Sequence, residues 1–175
     1  WMDGGALAES EIADQLGSVA ETDGFAALNL GFFRDVAALH AREDGVYTLD
    51  LRHGGLSTPR VLIVAEADVE LCVQHTLGAG LAIPVIEVVV REGARVSLTH
   101  VVQGAGGHFA GRVAVQLDAG GRFALQSFVA GGDIVRLDVQ PVLGPSSTFD
   151  SSGLVLARGR EHADHHLDIR HVGAS

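Results

Sequence analysis

The sequence contains no lysine: its 12 cationic residues are all arginine, set against 22 acidic residues and 9 histidines, for a formal charge of −10. Proteins that grip DNA or RNA neutralise phosphates with clustered cations. No basic run exists here, so nucleic acid and anionic membrane surfaces are poor partners. Cysteine is nearly missing as well. Cys72 is alone, which excludes an internal disulfide and leads to the expectation of a reducing, cytoplasmic setting. Of the large aromatics with a polar tip there are only Trp1 and Tyr47, so any core is aliphatic. Long apolar runs are absent too. Leu77 to Ile86 is uncharged but contains Pro84, and it is far shorter than the roughly 20 residues a membrane helix needs. Trp1-Met2-Asp3 offers neither the basic nor the apolar part of a signal peptide.

What the chain does have is a repeat. Four segments share one grammar of apolar run, short turn and alternating run: VLIVAEADVELCVQHTL, EVVVREGARVSLTHVVQ, AVQLDAGGRFALQSFVA and PVLGPSSTFDSSGLVLA. Before the turns, Ile63, Val90, Leu117, Leu143 and Ile169 recur at steps of 27, 27, 26 and 26; after them, Val69, Val96, Phe123 and Phe149 recur at 27, 27 and 26. Within the second runs the alternation has period two. Val69, Leu71 and Val73 share one face, and Glu70, Cys72 and Gln74 the other. Period two is strand chemistry, because successive side chains leave opposite faces of a pleated chain. The breaks at Glu92-Gly93-Ala94, Ala119-Gly120-Gly121 and Gly144-Pro145 have turn composition.

A unit of this size cannot bury its apolar face alone, whereas equal units can stack like on like. The pattern therefore predicts an all-β solenoid, a parallel β-helix of coils of about 26 residues spaced about 4.8 Å apart. An antiparallel sandwich with evenly spaced hairpins is the alternative. The repeat is expected to start at Arg60, after a strand at Val46–Leu51 and a loop at 52–59. Ahead of it, Leu7, Ile12 and Leu16 among acidic residues predict one amphipathic helix over residues 7–20, with Ser10 as a cap, docked on the open first coil. Residues 26–33 read as a second helical turn or a leading strand. The domain division expected is 1–24 for the helical segment and 25–175 for the β-helix.

The glycine-rich stretches at 78–80, 104–107, 131–133 and 159–160 lack the Lys and Ser/Thr of a phosphate loop and precede no predicted helix, so they are expected to be corner turns. The stretch from Glu161 to His171 is rich in histidine. On a strand, His162, Asp164 and His166 share a face at about 6.6 Å spacing, and they are the candidate metal ligands; the competing reading is an outer polar ladder. His75 and His100 fall on apolar faces and are expected to be satisfied core residues. Cys72 reads as a structural thiol, since no basic partner stands near it in sequence. No nucleophile elbow, no HExxH and no carboxylate pair in a cleft marks an enzyme. Polysaccharide-cleaving β-helices use aromatic sugar platforms that two Trp/Tyr residues can scarcely provide.

Three segments carry a family resemblance. Asp23-Gly-Phe-Ala-Ala-Leu-Asn29-Leu-Gly-Phe-Phe33 resembles "FxALNxALFxDG", Glu92-Gly93-Ala94-Arg95-Val96 resembles "GEGA" coils, and Glu161-His162-Ala163-Asp164-His165-His166 resembles "QHxDxHT", with Glu161 for Gln and Leu167 for Thr. Their order and spacing are similar to those of the SufB/SufD family of the SUF iron–sulfur cluster assembly system, over about residues 23–175. The resemblance implies a right-handed parallel β-helix, closer to the SufD side because SufB carries more cysteines. It implies a non-enzymatic scaffold that pairs with SufB-like and SufC-like subunits. It also implies iron or an iron–sulfur cluster at the level of the complex, with none bound by this chain. Family members run on into an interface segment and a helical region, so a core fragment is expected, self-associating through the open edge of its last coil.

Overall fold

The structure, a computed structural model, describes residues 1–20, 24–34 and 36–172. Along the chain come α1 (Gly4–Ala8) and α2 (Gly24–Phe32). Then follow β1 (Val36–Ala41), β2 (Gly45–Ser57), β3 (Arg60–Ala65), β4 (Val69–Ala82), β5 (Val85–Val90), β6 (Arg95–Gly104), β7 (His108–Leu117), β8 (Arg122–Gly131), β9 (Ile134–Leu143), β10 (Thr148–Leu156), β11 (His162–Leu167) and β12 (Arg170–His171). Odd strands pair with odd and even with even, apart from a short contact of β4 with β7 and the pairing of the two-residue β12 with β9. All these pairings are parallel. This is the predicted parallel β-helix, of about five turns.

Val69, Val96, Phe123 and Phe149 lie one over another at the predicted steps. The rings of Phe123 and Phe149 stack 6.1 Å apart and 7° from parallel. Val90, Leu117 and Leu143 also stack. The two ends of that column differ from expectation: Ile63 pairs with Val88 and Leu143 with His171. Each slip is two residues, which keeps every side chain on its face, so Ile63 still points into the aliphatic interior. The cause is coil length. Gly45 pairs with Val69 at a step of 24, while Val142 pairs with Arg170 at a step of 28.

The glycine-rich stretches are corner turns, as predicted. Successive corners approach so closely that a Cβ at Gly131, where φ is +97°, would meet the carbonyl oxygen of Gly104 in the coil before it. Glycine is required there by both the positive φ and the lack of room.

The solenoid starts before Arg60. β1 and β2 already form a coil, and residues 52–57, expected as a loop, belong to β2. A register shift between His53 and Gly55 bends that strand without ending it. The helix predicted over 7–20 is also corrected. Only α1 and a 3₁₀ turn at Ala13–Gln15 are helical, and the hydroxyl of Ser10 donates back to the carbonyl of Leu7. Leu7 and Ile12 are five residues apart, too far around a helix to share a face. A broken backbone lets both bury against Ala38, Leu62, Val64 and Val89. The N-terminal segment therefore covers the outer side of the odd stack. At the open edge of the first coil, Met2 forms an antiparallel bridge to Ala38, and Glu11 reaches His40 and Arg42. Residues 26–33, left open between helix and strand, fall largely in α2. Asp23, which opens the first resembling segment, and residues 173–175 lie outside the described residues.

Candidate functional site

Buried polar residues interrupt the aliphatic packing in several places: Arg112 of β7 faces Asp138 of β9 at 3.7 Å, and two larger clusters stand out. The first is on the outer side of the odd stack. Glu87, fully buried in β5, accepts from Arg60 Nε at 2.9 Å and from the backbone N–H groups of Gly17 (2.9 Å), Val19 (3.2 Å) and Ala20 (3.0 Å). Arg60 Nη1 donates to Asn29 Oδ1 at 2.9 Å, and Asn29 Nδ2 donates to the carbonyls of Pro59 (3.0 Å) and Ile83 (2.8 Å). A buried carboxylate and a buried guanidinium are tolerable because each is paired and hydrogen-bonded. The cluster ties α2 and the N-terminal segment to the coils, and it explains Asn29 in the first resembling segment.

The second cluster is inside the solenoid. β2, β4 and β6 each turn a histidine inward: His53, His75 and His100, all nearly inaccessible. His53 bridges Ser57 Oγ through Nδ1 and His75 Nδ1 through Nε2, both at 2.9 Å. The His53 and His75 rings stack at 5.1 Å, His75 and His100 lie 4.8 Å apart, and Phe109 stands edge-on to His75 at 5.0 Å. Ser127 sits over His100 in the next coil, and its hydroxyl lies 3.5 Å from His165 Nδ1. The column thus runs from the first coil towards the last. It is not satisfied: His75 Nε2 and His100 Nδ1 have no hydrogen-bond partner. The expectation of satisfied core histidines is corrected on that point.

Burial decides the protonation of this column. Loss of solvent is the largest cause of lowered pKa at His53, at His75, which falls well below the ordinary value, and at His100, which falls to about 3. Neighbouring imidazoles push His75 further down. Three neutral rings offer lone pairs and N–H donors to one another, with no charge.

The three candidate metal ligands lie on β11. Its register places His162 beside Ile134, Asp164 beside Arg136 and His166 beside Asp138. They share the outward face, as the alternation requires, while Ala163 packs against the core. Asp164 is engaged by Arg136 Nη1 at 3.3 Å, and Arg136 also holds Asp138 at 2.8 Å. Its bonds to Asp138, then the charges of Asp138 and Asp164, raise the Arg136 pKa. This is an arginine–aspartate ladder across two coils. Among the described residues no group of three or more His, Cys, Asp or Glu is arranged to hold a metal.

A model of the SUF system FeS cluster assembly, SufBD core domain, matches residues 48–175. The chain belongs to the SufBD core family. No curated protein matches the chain. The matched range begins within β2 and takes in every later coil, so the SufBD core corresponds here to the stacked strands together with His53, His75 and His100. Membership places the chain in SUF iron–sulfur cluster assembly. The cluster is what that system builds, so it is cargo. Cys72, half-buried on the outward face of β4 between Thr48 and Thr99, is the one thiol this SufBD core offers.

Sequence reading missed His53, because the 52–59 stretch looked like a loop, and it missed the clamp at Glu87. Signals existed for both. Three histidines at steps of 22 and 25 roughly follow the coil length, and Glu87 is a lone carboxylate inside the apolar run PVIEVVV.

Proposed function

We propose that this SufBD core is a SufD-like scaffold of the SUF complex, in the cytoplasm, with no turnover of its own. It acts by contact with SufB-like and SufC-like subunits. The observation that carries the reading is the bare edge of the last coil. Among the described residues β10 pairs only with β8, and Leu154, Val155 and Leu156 on it are exposed. Such an edge offers main-chain groups and apolar surface to a further parallel strand, whether from the same polypeptide or from a partner. Chemistry supports the same reading. Iron–sulfur clusters are held by several thiolates, and a β-helix with one cysteine can at most share in a site completed from elsewhere. Among the described residues no helix is long and apolar enough to cross a membrane.

Co-purification tests it. A full-length version expressed with SufB-like and SufC-like subunits is expected to elute with both, and Val155→Asp on β10 is expected to weaken that association. Elution of the scaffold alone at every concentration would overturn the proposal.

A further inference from the structure

At the other end of the stack, α2 is built inside out. Its sequence, GFAALNLGF, carries one polar side chain, Asn29, and that side chain is buried with Ala26. The large apolar residues face solvent: Phe25, Leu28, Leu30 and Phe32, the last 61% exposed. Phe25, Leu28 and Phe32 follow the i, i+3, i+7 spacing of one stripe. Leu56, near the end of β2, is 65% exposed, and with Phe32 it lines a groove of about 410 Å³. A helix that is apolar all round is normally buried all round, and contiguous exposed apolar surface on a folded domain marks an interface.

The helix is not loosely placed. Asn29 fastens its middle to two strand-corner carbonyls, and Thr58 Oγ1 donates to the carbonyl of Phe32 at 3.0 Å at its end. The bare face is therefore held rigidly in the orientation seen.

The groove also has a charge. Arg34 and Arg52 line it, and among the described residues neither makes a hydrogen bond or ion pair. In a chain of charge −10, two guanidiniums that pair with no carboxylate of the described residues, beside an apolar stripe, are a local inversion of sign. That inversion selects the occupant. A second copy packed symmetrically on this face would set the arginines of one copy against those of the other, a repulsive arrangement. A partner with an apolar stripe flanked by carboxylates would bury the stripe and neutralise both arginines.

We propose that α2, with Leu56, Arg34 and Arg52, is a docking face for an acidic amphipathic segment of another protein. The face is separate from the β10 edge, so its failure and the failure of the scaffold reading are told apart by which substitutions act.

The probes are two helical peptides of about 16 residues, with leucines at the spacing of a groove-binding helix. One is flanked by glutamates and the other by lysines, and both are titrated against the full chain by fluorescence anisotropy. The glutamate peptide is expected to bind about tenfold or more tighter, with affinity falling as salt rises. The double variant Arg34→Glu/Arg52→Glu should reverse the preference. Leu28→Ser/Phe32→Ser should abolish binding of both peptides with unchanged thermal unfolding, since these side chains are exposed. Equal binding of the two peptides, binding of neither, or binding indifferent to the substitutions overturns the proposal. So does sedimentation showing a dimer that Leu28→Ser/Phe32→Ser dissolves, because the occupant would then be a second copy.

Discussion

Glu87 and His75 are equally buried, yet the chain treats them in opposite ways. Glu87 lies where the N-terminal segment crosses the coils, and every hydrogen bond it needs is supplied by that segment and by Arg60. His75 lies where only coil packs on coil. It finds one partner in His53, an aromatic edge in Phe109, and nothing for Nε2. Regular stacking fills an interior with like residues, and it has few irregular backbone groups to spare for a polar side chain. An added, non-repeating segment does. The contrast predicts that the outer clamp is tightly coupled and costly to break, whereas the inner column is costly to charge and cheap to replace.

The largest effect should come from the clamp. Glu87→Ala leaves the Arg60 guanidinium buried without its counter-charge and strands the N–H groups of Gly17, Val19 and Ala20. Breaking one side of a buried ion pair costs about 3–5 kcal/mol. Denaturant unfolding should show that loss, and hydrogen exchange should show the N-terminal segment released first. A loss under about 1 kcal/mol would mean the segment contributes little to the fold.

Acid comes next, and it acts on the column. The His53, His75 and His100 values are all lowered below the ordinary 6.5. The unfolded chain therefore binds protons that the folded chain refuses. Stability is fully present above pH 6.5 and drains as pH falls below it, until the folded value is reached, about 3 for His100. At pH 5 His100 alone should account for about 2 kcal/mol of that loss, at about 1.4 kcal/mol per pH unit. His100→Leu should make the pH slope of unfolding free energy shallower by one proton. His100 Nδ1 has no partner to lose in that variant, so stability at pH 7.5 should barely change. An unchanged slope would show that His100 is solvated in solution.

The same division between repeating and added parts decided what could be read from the sequence. The steps from Val69 to Phe149 match the observed register residue for residue, because stacked coils of nearly equal length write their spacing into the chain. The first coil escaped, since its pairings step by 24 and 25 and its second strand bends at the Gly54–Gly55 shift. The N-terminal segment escaped for a different reason. Leu7 and Ile12 are placed by Leu62, Val64 and Val89, which are distant in sequence and leave no local periodicity. The outward face of His162, Asp164 and His166 was legible from alternation, but the capture of Asp164 by Arg136 was not, because it depends on which residue of β9 lies beneath. Likewise the histidines were visible singly. Only the ring contacts show that they come together in a column, each histidine lying diagonal to the next and not on its register partner.

A smaller effect separates members of that column. His75→Leu, unlike His100→Leu, breaks a real bond and leaves His53 Nε2 without a partner. The cost of one stranded neutral donor or acceptor is about 1–2 kcal/mol, partly offset by filling the site with an apolar side chain. The double variant His53→Leu/His75→Leu removes both partners and should recover part of the loss, a coupling that a double-mutant cycle measures directly. Additive losses would argue against the bond.

The smallest effect should fall on the arginine–aspartate ladder, where the contrast between clamp and column can be sharpened at the surface. Arg136 is 43% exposed, and its partner Asp164 is about as open. Water screens both, so Arg136→Ala should cost no more than about 1 kcal/mol. Asp138, much more enclosed, keeps the Arg112 guanidinium at 3.7 Å when Arg136 is gone. If the loss instead approached that of Glu87→Ala, Arg112 would be too distant to hold the Asp138 charge. The outer face of β9, where Asp138 already meets Arg112 and Arg136 from the strands themselves, would then be a second clamp as strong as the first, and irregular chain would confer no advantage in holding a buried charge.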